Sequence, residues 1–302
     1  MCKKIALTTI VTGSVLEEFK LLKFSWEMFH GPDYHWYVRC DEAARAALSN
    51  DRNVTCLVFT ESVTRRPAVT SQPFWNIAAQ KMNTMEDAWK ESDWDAVIYL
   101  DADLIITASL LDSVFPLDGA RLVLTPHFFP APEDDFAEKY QREAKEGYFN
   151  SGFVVTDDKE FHTWWRNTYV SRVGKWFGDQ RCLSSARGHF IVKMLDESAN
   201  IGFWRTPFRS IPLFKAIPQN CKFLHCHLFQ PLRTQLEWLN RMFALHCLEF
   251  LRSSAVLEHR IIYEQVIARD SAKWFQSSFS LRDGKNLSFD QRSQPPENAP
   301  AR

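Results

Sequence analysis

No stretch of the 302-residue chain approaches the ~20 consecutive apolar residues that a membrane-spanning helix needs, so no span is expected. Charge of one sign is not in surplus either: 36 basic residues stand against 37 acidic ones. Without a global basic field, a nucleic-acid-binding role built on phosphate contacts is a poor fit. The cysteines (Cys2, Cys40, Cys56, Cys182, Cys221, Cys226 and Cys247) form no close CxxC pair, which argues against a zinc knuckle. They are odd in number and scattered, several inside apolar segments such as Val54 to Val58, which predicts reduced, buried thiols and a cytoplasmic setting. Neither GxxxxGK nor GxGxxG occurs, so P-loop and dinucleotide readings have no support. No internal repeat is found.

The N-terminus has the outline of a signal peptide, with Lys3-Lys4 before Ile5 to Val11. Its apolar stretch is short, broken by Thr8, Thr9 and Thr12, and followed by Glu17-Glu18 without a small-residue cleavage site. A first β-strand is the expectation.

What the chain does contain is apolar mass: 45% hydrophobic residues, with 24 Phe and 11 Trp, enough for a substantial core. Its length suits one large α/β domain with additions, or about two average domains. Up to about residue 115, strand-like and helix-like segments alternate. Strands are expected at 4–12, 35–40, 54–59 and 96–100, and helices at 17–29, 42–48 and 76–90. This pattern predicts an α/β fold with a mostly parallel sheet covered by helices on both faces.

Beyond it come a strand at 122–125, a Pro-rich acidic loop at 126–135 and a short helix to about 146. A strand within Gly147 to Val155, a helix carrying Phe161, Trp164 and Trp165, and a short strand at 223–225 follow. Apolar spacing predicts two helices within 231–267, broken near Ser253-Ser254, and the polar stretch 283–302 reads as a disordered tail. The expected division is a catalytic unit at 1–230, a helical extension at 231–282 and the tail. The extension covers the sheet or, in the alternative reading, touches a membrane's inner face through residues 231–267.

The most informative string is YLDADLII, in which the apolar run 96–100 ends in Asp101 and Asp103. On an extended segment, side chains at i and i+2 share a face, so both acids reach one divalent ion. Ligands of parallel α/β sheets bind beyond the carboxyl ends of the strands, where these acids fall. Asp-x-Asp also occurs in ordinary turns, so the pair needs partners.

Four strings supply them in one order: YLDADLII at 99–106, GYFNSGFVV at 147–155, FGDQRCL at 177–183 and FLHCHLF at 223–229. Together they resemble the ordered signatures of nucleotide-sugar-dependent glycosyltransferases of the GT-A fold. The nearest pattern is the retaining, glycogenin-like and bacterial galactosyltransferase-like group, glycosyltransferase family 8. Thr125-Pro126-His127 and Asn200 to Arg205 resemble a related set of bacterial proteins.

The resemblance implies a sugar-nucleotide donor, a glycan or lipid-linked acceptor, and Mn²⁺ or Mg²⁺ held by Asp101, Asp103 and His225. It places Asp179 and Gln180 beside the anomeric carbon and Asn150 with Gly152 at a sugar. It puts Thr8, Thr9, Thr12 and Gly13 at the nucleotide base and ribose. Lys81 either reaches the donor phosphates or is simply solvated. The pattern is broken after His225, where His227 stands as an alternative ligand and only Gln230-Pro231 remains of an expected Lys-Pro-Trp element. Bland readings accompany each residue: Asp179 as a helix cap, Asn150 as a turn residue, the histidines satisfying backbone groups, and Trp164, Trp165 and Trp204 as core rather than a sugar floor. Two other functions stay open. A nucleotidyltransferase making sugar nucleotides is disfavoured by the missing arginine and glycines in 11–15, and a catalytically silent scaffold by the intact acids.

Overall fold

The computed structural model describes residues 3–59, 72–127, 148–171, 178–196, 198–202, 217–229 and 235–269. The Pro-rich loop, the helix to residue 146, Trp204 and the C-terminal tail lie outside these.

Apolar runs in the first half form strands. β1 (Ile5–Val11), β2 (His35–Cys40), β3 (Val54–Val58) and β4 (Ala96–Leu100) pair in parallel in the order β3-β2-β1-β4. Of these, β1 and β4 are buried on both faces, and β3, at the edge, is only half-buried. The helices between them are α1 (Leu16–His30), α2 (Glu42–Leu48) and α3 (Gln72–Glu91). Alternate residues of one strand serve opposite layers. Leu7, Ile98 and Leu100 meet Phe19, Leu22 and Trp26 of α1, whereas Ala6, Val97 and Tyr99 meet Met82 and Met85 of α3. That is the three-layer arrangement expected of the alternating pattern.

Past Leu100 the chain leaves this sheet. β5 (Leu104–Ile106) joins a second, three-stranded sheet in the order β5-β10-β9, with β9 (Ile201–Gly202) and β10 (Phe223–His225). A short α4 (Leu111–Val114) then leads to β6 (Leu122–Pro126). β7 (Phe149–Thr156) inserts antiparallel between β4 and β6, and β8 (Val192–Met194) closes the edge of a seven-stranded sheet. The small sheet and the antiparallel β7 are departures from a simple βαβ series. Period-2 patterning reports burial and not strand direction, and runs of two or three residues carry no period.

α5 (Phe161–Val170) and α6 (Gly178–Leu183) pack beside α3, where Arg166 pairs with Glu86. α7 (Gln235–Ser253) and α8 (Leu257–Ile267) break at the expected place. Leu248, Phe250 and Leu251 of α7 are buried in one cluster with Leu21 of α1, Ile105 of β5 and Leu224 of β10. Covering the small sheet therefore accounts for the apolar side of α7. Among the described residues no helix is long and apolar enough to cross a membrane, and Cys40, Cys56, Cys182, Cys221, Cys226 and Cys247 are free thiols, all but Cys56 buried.

Candidate active site

The two acids of YLDADLII are not on an extended strand. Asp101 to Leu104 is a turn, with the Leu104 N–H bonded to the Asp101 carbonyl at 3.3 Å. The i and i+2 argument from an extended segment is thus corrected: the turn swings the chain from the large sheet into the small one and leaves both carboxylates at the junction. β5 pairs antiparallel with β10, and the Cys226 N–H continues the ladder to the Asp103 carbonyl at 3.1 Å. This pairing carries His225 to the acids across more than a hundred residues of sequence.

Asp101, Asp103 and His225 form a group whose donor atoms all lie within 4.8 Å of one another. His225 Nε2 is 3.2 Å from Asp103 Oδ1 and 3.9 Å from Asp101 Oδ2. Each of the three has its remaining donor atom engaged elsewhere. Asp101 Oδ1 accepts from the Tyr99 phenol at 2.7 Å, and His225 Nδ1 lies 3.0 Å from Asn200 Oδ1. Asp103 Oδ2 lies 3.3 Å from His227 Nδ1. Outer contacts of this kind orient metal ligands and set their tautomers.

Asn200 is itself over-determined. It adopts φ of 57°, a left-handed conformation that Asn tolerates, is fully buried, and donates from Nδ2 to Thr125 Oγ1 at 2.8 Å. With Nδ2 so used, its Oδ1 is the atom that faces the His225 ring.

Lys81 is the cation of the cluster. From α3 its Nζ reaches Asp101 Oδ1 at 3.1 Å, Asp179 Oδ2 at 3.2 Å and Ser151 Oγ at 3.2 Å, and it sits 5.2 Å from the Tyr99 ring centre. α3 is held for this by Arg39 of β2, which bonds Asp87 and Gln80. Asp179 also accepts from Ser151 Oγ at 2.8 Å, and the Trp165 indole donates to its carbonyl at 2.9 Å. Asp179 stands in the first turn of α6, not at a resolved cap, with Gln180 buried beside it. Trp165 is core, as the bland reading had it, yet it also fixes Asp179.

The electrostatics follow from these contacts. Burial works against the charge of Lys81, but Asp101 and Asp179 push its ammonium above the usual lysine range. Burial raises the Asp103 and Asp179 carboxyls. The histidines beside Asp103, and Lys81 with Ser151 beside Asp179, outweigh it, so both sit below the usual carboxylate range. Burial and Asp101 together push the Tyr99 phenol well up, so it remains a donor.

Asn150 accepts the Gly152 N–H on Oδ1 at 2.9 Å, and its Nδ2 lies 3.2 Å from His127 Nδ1. Gly152 lies against the ligand group: a Cβ there would stand 2.6 Å from Asp101 Oδ2 and from His225 Cε1. The structure therefore assembles Lys81, Asp101, Asp103, Asn150, Gly152, Asp179 and His225. Four expected residues make their hydrogen bonds elsewhere or are enclosed in the sheet. Thr8 and Thr9 are fully buried inside β1, with the Thr8 hydroxyl bonded to the Ile98 carbonyl at 3.1 Å. The Thr12 hydroxyl meets Ser14 at 2.8 Å, and the Gly13 N–H donates to Asp41, the cap of α2, at 2.8 Å. Among the described residues none of these four hydrogen-bonds to the acidic cluster. Tyr99, Ser151, Asn200 and Glu18 were not singled out as site residues from sequence. The first three lie inside the recognised strings, whereas Glu18 has no signal beyond a charge in a helical first turn.

As a donor set, two carboxylates and an imidazole fit a divalent cation, and the excess of negative charge around one ammonium favours one. No protein-family model matches the chain, and no curated protein matches it. Solved structures do. The galactosyltransferase LgtC, in complex with donor and acceptor sugar analogues, superposes with a TM-score of 0.52 at 17% identity, over 85% of this chain and 99% of that one. The bifunctional glycosyltransferase WbbM, in its apo form, gives 0.48 at 13% identity, over 89% of this chain and 52% of that one. The likeness to LgtC establishes the fold: the chain has the GT-A architecture that its ordered strings imply.

Proposed function

We propose that this chain is a glycosyltransferase that moves a sugar from a nucleoside-diphosphate donor to a glycan or lipid-linked acceptor, depends on Mn²⁺ or Mg²⁺, and retains the configuration at the anomeric carbon. The observation that carries this reading is the grouping of Asp101, Asp103 and His225 at the junction of two sheets in this fold. LgtC holds donor and acceptor sugar analogues, and the same two classes of ligand are proposed here. Residues 1–230 are the proposed catalytic unit, with the following helices as its cover.

Asp101, Asp103 and His225 would hold the ion, and a mixed carboxylate and imidazole set suits Mn²⁺ better than an all-oxygen set. When bound, the ion supplies neutralisation of the charge that develops on the departing diphosphate. Tyr99, Asn200 and Gly152 keep the ligands turned inward. Asp179, with one oxygen tied to Ser151 and Lys81, presents a rigid carboxylate to an oxocarbenium-like sugar, and Gln180 and Asn150 bind sugar hydroxyls.

A thermal-shift screen of sugar nucleotides with Mn²⁺ tests this, because a ligand that binds only the folded state raises its stability. The expected result is a shift with one donor class that needs the ion and vanishes in Asp103→Asn, together with sugar transfer or slow donor hydrolysis. Unchanged Mn²⁺-dependent donor binding and transfer in Asp103→Asn would overturn the assignment. Donor binding without any turnover would point to a scaffold instead.

A further inference from the structure

We propose that Thr125 is a positioning residue for His225, acting through Asn200 as a tie between the two sheets, a reading that rests on the metal assignment above. The three ligands do not share one sheet. Asp101 follows β4 of the large sheet, whereas His225 closes β10 of the small one. A site split in this way needs something to hold its halves in register, because carboxylate and imidazole must meet one ion at fixed distances. Thr125, fully buried near the end of β6 in the large sheet, accepts from Asn200 Nδ2 on its Oγ1 at 2.8 Å. Asn200 stands immediately before β9 of the small sheet, and its Oδ1 lies 3.0 Å from His225 Nδ1. One amide thus bridges a strand of the large sheet and the imidazole of the small one.

The backbone places Thr125 for this. Leu124 of β6 pairs with Val154 of β7, but the next residue, Thr125, pairs with Asn150, so Ser151 to Phe153 are passed over in the β6 register. Irregularities of this kind re-aim side chains beside functional sites. Here the shift sets Thr125 against the segment of β7 whose Gly152 carbonyl accepts the Asp101 N–H at 2.8 Å. The same stretch of paired strands therefore holds Asp101 from β7 and His225 from β6. The backbone around Asn200 is fixed from the small sheet: the Lys222 N–H bonds to the Ser198 carbonyl at 2.8 Å, and Ile201 and Gly202 pair with Leu224 and His225. That leaves the side-chain amide to be set, and Thr125 is the hydrogen-bond partner of its nitrogen. Thr125 and Asn200 also open the two short strings, Thr125-Pro126-His127 and Asn200 to Arg205, that the ligand set by itself leaves unexplained.

Competition measurements of free Mn²⁺ by electron paramagnetic resonance, with the full chain and no sugar nucleotide, test the proposal. Thr125→Val keeps the shape of the side chain and removes its acceptor. Mn²⁺ binding is then expected to weaken about tenfold, the low end for loss of a group behind a metal ligand. Thr125→Ser keeps the hydroxyl and loses a buried methyl, so it is expected to bind Mn²⁺ as wild type does while melting lower without metal. A packing role for Thr125 predicts the reverse order of binding, with the serine variant the weaker. In an Asn200→Gly background, Thr125→Val is expected to add no further loss of binding, since it acts through the amide. Metal-free thermal melts report folding. If Thr125→Val has no cooperative transition, Thr125→Ala, which also removes the hydroxyl and adds no bulk, carries the same expectation. Wild-type affinity in the folded hydroxyl-free variant, a serine variant that binds as weakly, or a full additional loss in Asn200→Gly overturns the proposal and leaves the metal assignment standing. A wild-type chain that binds no Mn²⁺ overturns both.

Discussion

Gly152 is the floor on which Asp101 rests. Its carbonyl accepts the Asp101 N–H at 2.8 Å, and its bare Cα leaves open the space where a Cβ would press to 2.6 Å from Asp101 Oδ2. The same Cβ would stand 2.9 Å from Asn150 Oδ1, so the only escape is to move ligand side chains.

Gly152→Ala should therefore keep the fold and lose the site. β7 is extended here, so alanine has no backbone objection, and the displaced groups are two ligand side chains and an amide. Mn²⁺ affinity should fall by at least about tenfold, as for other losses of ligand orientation. An isothermal titration showing wild-type Mn²⁺ affinity in Gly152→Ala would mean that Asp101 and His225 do not share an ion.

Asn200 separates backbone from side-chain effects. Its left-handed φ of 57° is easy for glycine and strained for alanine, while both substitutions remove the bond to His225 Nδ1. Asn200→Gly and Asn200→Ala should weaken Mn²⁺ binding alike, and Asn200→Ala should melt lower by about 1–2 kcal/mol of added backbone strain. Equal melting temperatures would contradict the strain argument, and unchanged Mn²⁺ binding would contradict the orienting role.

The parts of this site that sequence makes visible are those written locally. Doubly buried strands such as IALTTIV and AVIYL announce a parallel core, and acids that follow one mark its carboxyl end. Hidden parts depend on pairing at long range. LII after the acids reads as more of the same strand, and only its ladder with β10 shows that Asp101 to Leu104 must turn. Glu18 reads as the surface acid beside Glu17, because nothing nearby reveals that β10 will bring His227 against that helix. His225 was reachable only through the order of motifs, since its spacing from Asp103 carries no periodic signal.

Stability should depend on pH above the acid range through His30. Its Nε2 accepts the Leu110 N–H at 3.3 Å, its ring lies 4.3 Å from that of Trp26, and burial pulls its pKa from 6.5 down to about 4. Between those values the unfolded chain binds a proton that the folded one refuses, so this contribution is complete above pH 6.5 and is lost as pH falls toward 4. Allowing for solvent screening of a half-buried ring, the loss is about 2 kcal/mol, or roughly 4–8 °C in Tm. Melts from pH 7.5 to 4.5 should show it in wild type and show less of it in His30→Gln, which keeps an acceptor without a titrating group. Parallel pH profiles would remove His30 as the source.

Lys81 predicts an interaction between mutation and metal that a simple structural lysine would not show. Its ammonium is what lets Asp101 and Asp179 sit together, 3.1 and 3.2 Å from one nitrogen. Lys81→Met keeps the length and apolar stem of the side chain and strips the charge, leaving the buried Asp179 carboxylate opposed to the half-buried one of Asp101. In metal-free buffer this should cost about 3–5 kcal/mol, the usual penalty for removing one partner of a buried pair. A divalent ion on Asp101 and Asp103 neutralises the Asp101 carboxylate that Lys81 also faces, so saturating Mn²⁺ should raise Tm by more in Lys81→Met than in wild type. Sugar transfer should remain lost all the same, because the ion does not replace the contact between Lys81 and Asp179. An equal or smaller Mn²⁺ shift in Lys81→Met would show that the lysine and the ion act on different charges.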